Sequence, residues 1–171
     1  MATVGSERRD ELLDQLVELF LTEGFRRFTL GDLAARLRCS KTTLYALGVS
    51  KEQLTGNAVR HFFRRATAFV EERTAREDDP AARIVAYLNA VADALRPASP
   101  AFMADLADHP VASQVYEQNT AAAAERVRLL IAEGVDRGDF RAVHAEFVAD
   151  VVAATMNRIQ TGAVTANTGL R

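Results

Sequence analysis

Apolar residues recur at helical spacing along almost the whole chain. Leu12, Leu13, Leu16, Leu19 and Phe20 lie three or four residues apart on one helix face, with Ser6 as a candidate cap before them. Gly24 follows as a left-handed stop. Thr29, with Asp32 three residues on, has the form of a capping box and opens a short helix that turns Leu33, Ala34 and Leu37 inward. Ser40 can cap another short helix, with Leu44 and Leu47 as its apolar positions. After a loop around Gly48 and Val49, Ser50 can cap a long helix reaching about Arg76. The stretch "REDDP" breaks the pattern, and Asp79 or Pro80 then opens a helix to about Leu95. Pro100 sits in the first turn of a short helix that ends near "DHP". Helical spacing resumes from Val111 to about Arg137, "RGDFR" reads as a turn, and a last clear helix spans Ala142 to about Gly162. One face of that helix carries Phe147, Val148, Val151, Val152, Thr155 and Ile159, and the tail "AVTANTGLR" reads as weakly ordered.

The pattern predicts an all-α fold. Composition agrees: nine glycines and four prolines supply too little turn chemistry for a β-sandwich, while 49% hydrophobic residues suffice for a core. A net charge of −2 carries no global sign of a nucleic-acid partner, so the local balance decides. Between Gly24 and Lys51 six basic residues (Arg26, Arg27, Arg36, Arg38, Lys41, Lys51) face one acid, Asp32; 6 − 1 gives +5, and the rest of the chain sums to −7. The single cysteine, Cys39, forms no internal disulfide framework and suits a reducing compartment. "MATVGSERRDELLDQL" has charges where a signal peptide needs an apolar core, and no apolar run approaches the ~18 residues of a membrane span. A cytoplasmic protein with no membrane partner is expected.

Three short helices in the first fifty residues, the middle pair joined only by "RCS", have the size of a helix-turn-helix unit, and the basic segment coincides with it. In such a unit the N-terminal residues of the second helix reach base edges. Lys41 and Thr42 stand there, with Thr43 one step further. Lysine can donate to guanine, and threonine can offer a hydroxyl or a methyl to thymine. Lys51 opens the next helix, where a cation and backbone N–H groups together favour a phosphate, and Thr29 marks a similar helix start. Arg8, Arg9, Arg26, Arg27 and Arg38 read as long-range attraction.

Residues 7–55 resemble the TetR family of bacterial transcriptional regulators, through "EGF" at the end of the first helix, then "FTLGDLAARL", "CSKTTLY" and "SKEQL". The resemblance implies a DNA-binding head at 1–50 and a helical effector-binding and dimerising body at 51–171. It adds Tyr45 as a backbone or thymine-methyl contact, double-stranded operator DNA and a small-molecule effector as partners, a homodimer as the working form, and no cofactor. It also implies an apolar cavity among the fourth to seventh helices, for which Phe62, Phe63, Phe69, Tyr87, Phe102, Met103, Leu106 and Tyr116 are candidates, with Asn119 as a polar handle. Phe147, Val148, Val151, Val152, Thr155 and Ile159 become the dimerisation face. Three departures stand out. Arg38 occupies a turn position usually held by glycine, which would strain a left-handed residue. "ALG" after Tyr45 loses a phosphate-contacting side chain at Leu47 and a packing aromatic at Gly48. Only one terminal dimerisation helix is legible where the family has two.

The remaining chemistry-bearing residues read as structural. Cys39 behaves as a small buried hydrophobe, and His61, His109 and His144 have no metal-ligand spacing. Asp105 and Asp108, three apart on one helix, read as solvated charge. No nucleophile elbow, phosphate loop or paired-carboxylate constellation supports catalysis. The expected function is a ligand-responsive repressor; the alternative is a helical ligand- or protein-binding module with weakened DNA binding.

Overall fold

The computed structural model describes residues 4–160, with eight helices and no strand among them. They are α1 (Val4–Glu23), α2 (Leu30–Arg36), α3 (Lys41–Tyr45), α4 (Lys51–Thr74), α5 (Pro80–Leu95), α6 (Pro100–Asp108), α7 (Pro110–Asp136) and α8 (Ala145–Gln160). The all-α expectation holds, and the sequence signals lie close to the observed ends. Thr29 and Asp32 form the full capping box of α2. Ser40 accepts from the Thr43 N–H at 3.0 Å, Ser50 from Gln53 at 3.2 Å, and Asp79 from Ala82 at 2.8 Å. One cap differs: α1 begins at Val4, so Ser6 lies inside its first turn. Gly24 ends α1 at φ +73° and Arg38 ends α2 at φ +50°, the left-handed residue that its place in the turn demands. Arg38 therefore holds a conformation that costs a non-glycine residue about 1 kcal/mol or more. The tail, 163–171, lies outside the described residues.

The described residues form two compact units: 4–67 with 95–116, and 68–94 with 117–160. In the first, Leu16, Phe20, Phe25, Leu33, Leu44, Leu47, Leu54, Phe102 and Leu106 are essentially inaccessible and form one cluster. Phe25 meets the rings of Phe20 and Phe102 at 5.3 and 6.0 Å, the latter edge-on, as aromatic pairs prefer. In the second unit, Val70, Tyr87, Ala90, Val127, Leu130, Ile131 and Ala149 make a smaller core. Burial, aided by the Glu71 charge and opposed by Arg126, pushes the Tyr87 hydroxyl up to about 12, so it stays a neutral donor. Arg126 holds Glu71 in a fork at 2.8 and 2.9 Å, and Arg83 and Arg73 pair with Glu133 and Asp93 at 2.5 Å.

The "ALG" stretch is resolved by packing. Leu47 is buried at 1% exposure and fills the core of the first unit. Gly48 lies so close to α4 that a Cβ there would stand 2.5 Å from the Leu54 nitrogen. Asn57 completes the joint by donating to the Leu47 carbonyl at 2.6 Å. Leu47 thus packs in the core, and Gly48 leaves no room for a side chain against α4. Gly48→Ala should force α3 away from α4 and cost about 2 kcal/mol by overpacking; a urea titration would measure it, and an unchanged midpoint would refute the close approach.

Candidate nucleic-acid interface

The site is built from the first unit. α2 and α3 are joined by a tight turn in which Cys39 donates its N–H to the Ala34 carbonyl at 3.0 Å and Arg38 to Ala35 at 3.2 Å. Leu44 buries one side of α3, leaving Lys41, Thr42 and Tyr45 exposed on the other. Lys41 lies back along Gly31, where a Cβ would meet its Cε and Nζ at 3.7 and 3.9 Å, in ordinary van der Waals contact. Thr43 is half-buried and shares a 2.8 Å hydrogen bond between its hydroxyl and that of Ser40. Thr29 is exposed, but its hydroxyl and N–H both donate to Asp32, at 2.7 and 2.8 Å. Lys51 is half-buried and its ammonium donates to the Arg26 carbonyl at 2.8 Å. The six sequence-predicted contact residues therefore lie within one unit; Lys41, Thr42, Tyr45 and Thr29 are exposed, and Thr29, Thr43 and Lys51 are engaged in hydrogen bonds.

The basic segment is partly compensated. Arg27 and Arg36 both pair with Glu23 and lie over the Phe28 ring, at 4.8 and 5.7 Å, while Arg26 pairs with Asp108. Among the described residues Arg38, Lys41 and Lys51 form no ion pair. Arg26, Arg27 and Arg36 are thus salt-bridged as well as sources of long-range field, a role that only the fold reveals.

Several residues take roles the sequence did not disclose. Asp105 is not solvated charge: its Oδ2 accepts the N–H of Phe25 at 2.5 Å and of Arg26 at 2.9 Å. His109 caps α7, accepting from Ala112 at 3.3 Å, and meets the Phe25 ring edge-on at 5.6 Å. His61 is buried between Asp14 at 2.6 Å and Arg64 at 2.8 Å. A guanidinium only donates, so His61 Nδ1 accepts from Arg64 and Nε2–H donates to Asp14. Burial would raise the Asp14 carboxyl, but the bonds from His61 and Arg65 outweigh it and hold it below the usual value. Cys39 is half-buried against the core, and burial pushes its thiol up, as expected of a packing residue rather than a reactive one. No local pattern marks Asp105, because its partners lie 80 and 79 residues away.

The remaining candidates divide between the units. Phe62, Phe63, Phe102, Met103, Leu106 and Tyr116 belong to the first core, with Phe62 edge-on to Phe63 and Phe102 at 4.9 and 5.9 Å. Tyr87 lies in the second core, Asn119 is half-buried in the second unit, and Phe69 is exposed there with the Arg73 guanidinium 5.1 Å from its ring. On α8, Phe147, Val151 and Thr155 are exposed, whereas Val148 and Val152 pack on their own core; the Ile159 side chain lies outside the described residues. Among the described residues no group of three metal-ligating side chains converges, and no helix is long and apolar enough to cross a membrane.

A short helix, a tight turn and a second short helix with an exposed polar end define a helix-turn-helix protein. Residues 12–56 match the family of bacterial regulatory proteins, tetR family. The head is similar to that family over this segment, and solved structures share the fold over most of the chain. A putative TetR-family transcriptional regulator from Rhodococcus sp. is 20% identical with a TM-score of 0.70, covering 97% of this chain and 90% of its own. A TetR/AcrR-family regulator from Thermobifida fusca is 21% identical with a TM-score of 0.69, over 90% and 84%. The ketosteroid transcriptional regulator KstR2 of Mycobacterium tuberculosis is 22% identical with a TM-score of 0.60, over 86% and 79%. No curated protein matches the sequence.

The capping box gives this site a pH dependence. The Thr29 hydroxyl, then the Thr29 N–H, hold the Asp32 carboxyl below its ordinary value of 3.8. A depressed folded pKa stabilises above the unfolded value and loses that contribution as pH falls through the folded one. Asp32→Asn should therefore lower the melting temperature at neutral pH, and the difference should shrink steadily below pH 3.8. A difference independent of pH would overturn the assignment.

Proposed function

We propose that the protein is a ligand-responsive, DNA-binding transcription repressor that works as a homodimer in the cytoplasm. The observation that carries the reading is α3, whose polar end bearing Lys41 and Thr42 is exposed while Leu44 anchors its other side. Lys41 and Thr42 would read base edges in the major groove, with Thr43 beside them. Tyr45, Thr29 and Lys51 would position the backbone. Residues 1–50 serve as the DNA-binding domain and 51–171 as the effector-binding and dimerisation domain.

One recognition helix gives little affinity, so two copies must present α3 at half-site spacing. The exposed Phe147 and Val151 of α8, at 67% and 47%, with Thr155 one turn on, offer an apolar stripe for a second copy. The apolar cluster of Phe62, Phe63, Phe102, Met103, Leu106 and Tyr116 supports an apolar or amphipathic effector. Such an effector would favour a body conformation that moves α4 and spoils the half-site spacing, a shift of populations between two states.

A second reading, a helical binding module with weak DNA affinity, is favoured by the pairing of Arg26, Arg27 and Arg36 with carboxylates. Gel shifts across a salt series separate the two. Lys51→Ala should weaken binding to every sequence and flatten the log–log salt slope by about 0.9, whereas Lys41 or Thr42 substitutions should change sequence preference. Absence of any shift at low salt would leave only the second reading, and equal losses on all sequences would exclude base readout by Lys41 and Thr42.

A further inference from the structure

Arg26 stands in the turn between α1 and α2 and is held at three points. Its N–H, beside that of Phe25, donates to Asp105 Oδ2 on α6. Its carbonyl accepts from Lys51 Nζ at the start of α4. Its guanidinium pairs with Asp108, three residues beyond Asp105 on α6. Among the described residues no bond joins Asp105 to Lys51, yet they grip the two ends of one residue's backbone. The fit is tight on the α6 side. A Cβ at Gly24 would stand 2.5 Å from Asp105 Oδ2, and His109, just past α6, has its ring edge-on to Phe25.

We propose that α6 sets the position of the Lys51 ammonium through the Arg26 backbone, making Asp105 a positioning residue for DNA binding. The inference rests on the reading of Lys51 as a phosphate ligand. Lysine is a point charge on a flexible four-carbon stem, and ordering that stem on a phosphate costs entropy. The Arg26 carbonyl holds the stem in place in advance, and it can do so only where Asp105 keeps the turn. α6, far along the chain from the helix-turn-helix segment, is by this account part of the DNA reader.

Charge alone predicts the opposite sign. Removing a carboxylate near a phosphate-binding surface should strengthen attraction to DNA. Positioning requires Asp105→Asn to weaken it, whereas Asp108→Asn, which releases only the Arg26 side chain, should leave binding unchanged or tighter. The test uses the full chain, fluorescence anisotropy on a mixed-sequence DNA duplex across a salt series, and a double-mutant cycle. Asp105→Asn should weaken binding about fivefold in the wild-type background and less than about twofold in a Lys51→Met background, the mark of coupled residues. Tighter binding by Asp105→Asn, or an equal loss in both backgrounds, overturns the proposal.

Amide hydrogen exchange without DNA gives a second measurement that does not require the Asp105 variant to fold. Lys51→Met should speed exchange at the Phe25 and Arg26 N–H groups, which Lys51 does not touch. Wild-type duplex binding with unaltered exchange there refutes the relay alone. No wild-type binding at low salt refutes the DNA-binding reading and the proposal together.

Discussion

The N–H groups of Phe25 and Arg26 follow a left-handed glycine that has ended the hydrogen-bond ladder of α1, and both donate to one carboxylate oxygen of Asp105. The Phe25 side chain is fully buried, so leaving its N–H unpaired would carry a desolvation penalty. Charge-assisted bonds of this kind are about twice as strong as neutral ones. Much of the first unit follows from that anchor. With the turn fixed, the Phe25 ring meets Phe20, Phe102 and His109, and the chain of rings continues through Phe62 and Phe63 to Tyr116. The same turn delivers Thr29 to cap α2, and α2 supports α3.

Electrostatics in this protein is local at every scale. The sequence segregates charge strongly, yet three of the six basic residues in the Gly24–Lys51 segment are paired in the fold with acids outside it. Those pairs are half-exposed and individually worth little to stability. Their larger effect is on the field: the compensated arginines leave Arg38, Lys41 and Lys51 as the principal cations of the site. Any DNA affinity then depends on few phosphate contacts and on how well each is placed, which gives positioning interactions more weight than net charge.

Most of the helical architecture was legible because its signals are short-range. A side-chain cap reaches three residues, a left-handed stop reaches four, and helical periodicity repeats within a turn or two, so Thr29, Ser40, Ser50 and Asp79 cap as expected. Ser6 failed as a start because helix continues two residues before it. Arg38 was legible as a left-handed residue from its position in the turn, whatever its side chain. Within the interface, the exposure of Lys41, Thr42 and Tyr45 follows from helix period alone, with Leu44 fixing the inward face. The engagement of Thr43 with Ser40, three residues away, was equally within reach.

The bonds of Asp105 and Lys51, the His109 ring against Phe25 and the pairing of Glu23 with Arg36 were not legible, since each depends on a partner whose distance along the chain says nothing about distance in space. Asp105 and Asp108 each follow an alanine on α6, three residues apart, yet one binds two backbone N–H groups and the other an exposed guanidinium. Leu47 and Gly48 carry the same lesson: a departure from the usual pattern reads as a loss until α4 is seen against the Gly48 backbone. The sequence by itself determined where helices begin and end and which faces they bury, because backbone hydrogen bonding and periodicity are local. Tertiary structure alone decided which charges are neutralised, which amides are clamped and which apolar residues stay exposed, because those depend on surfaces that meet only after folding.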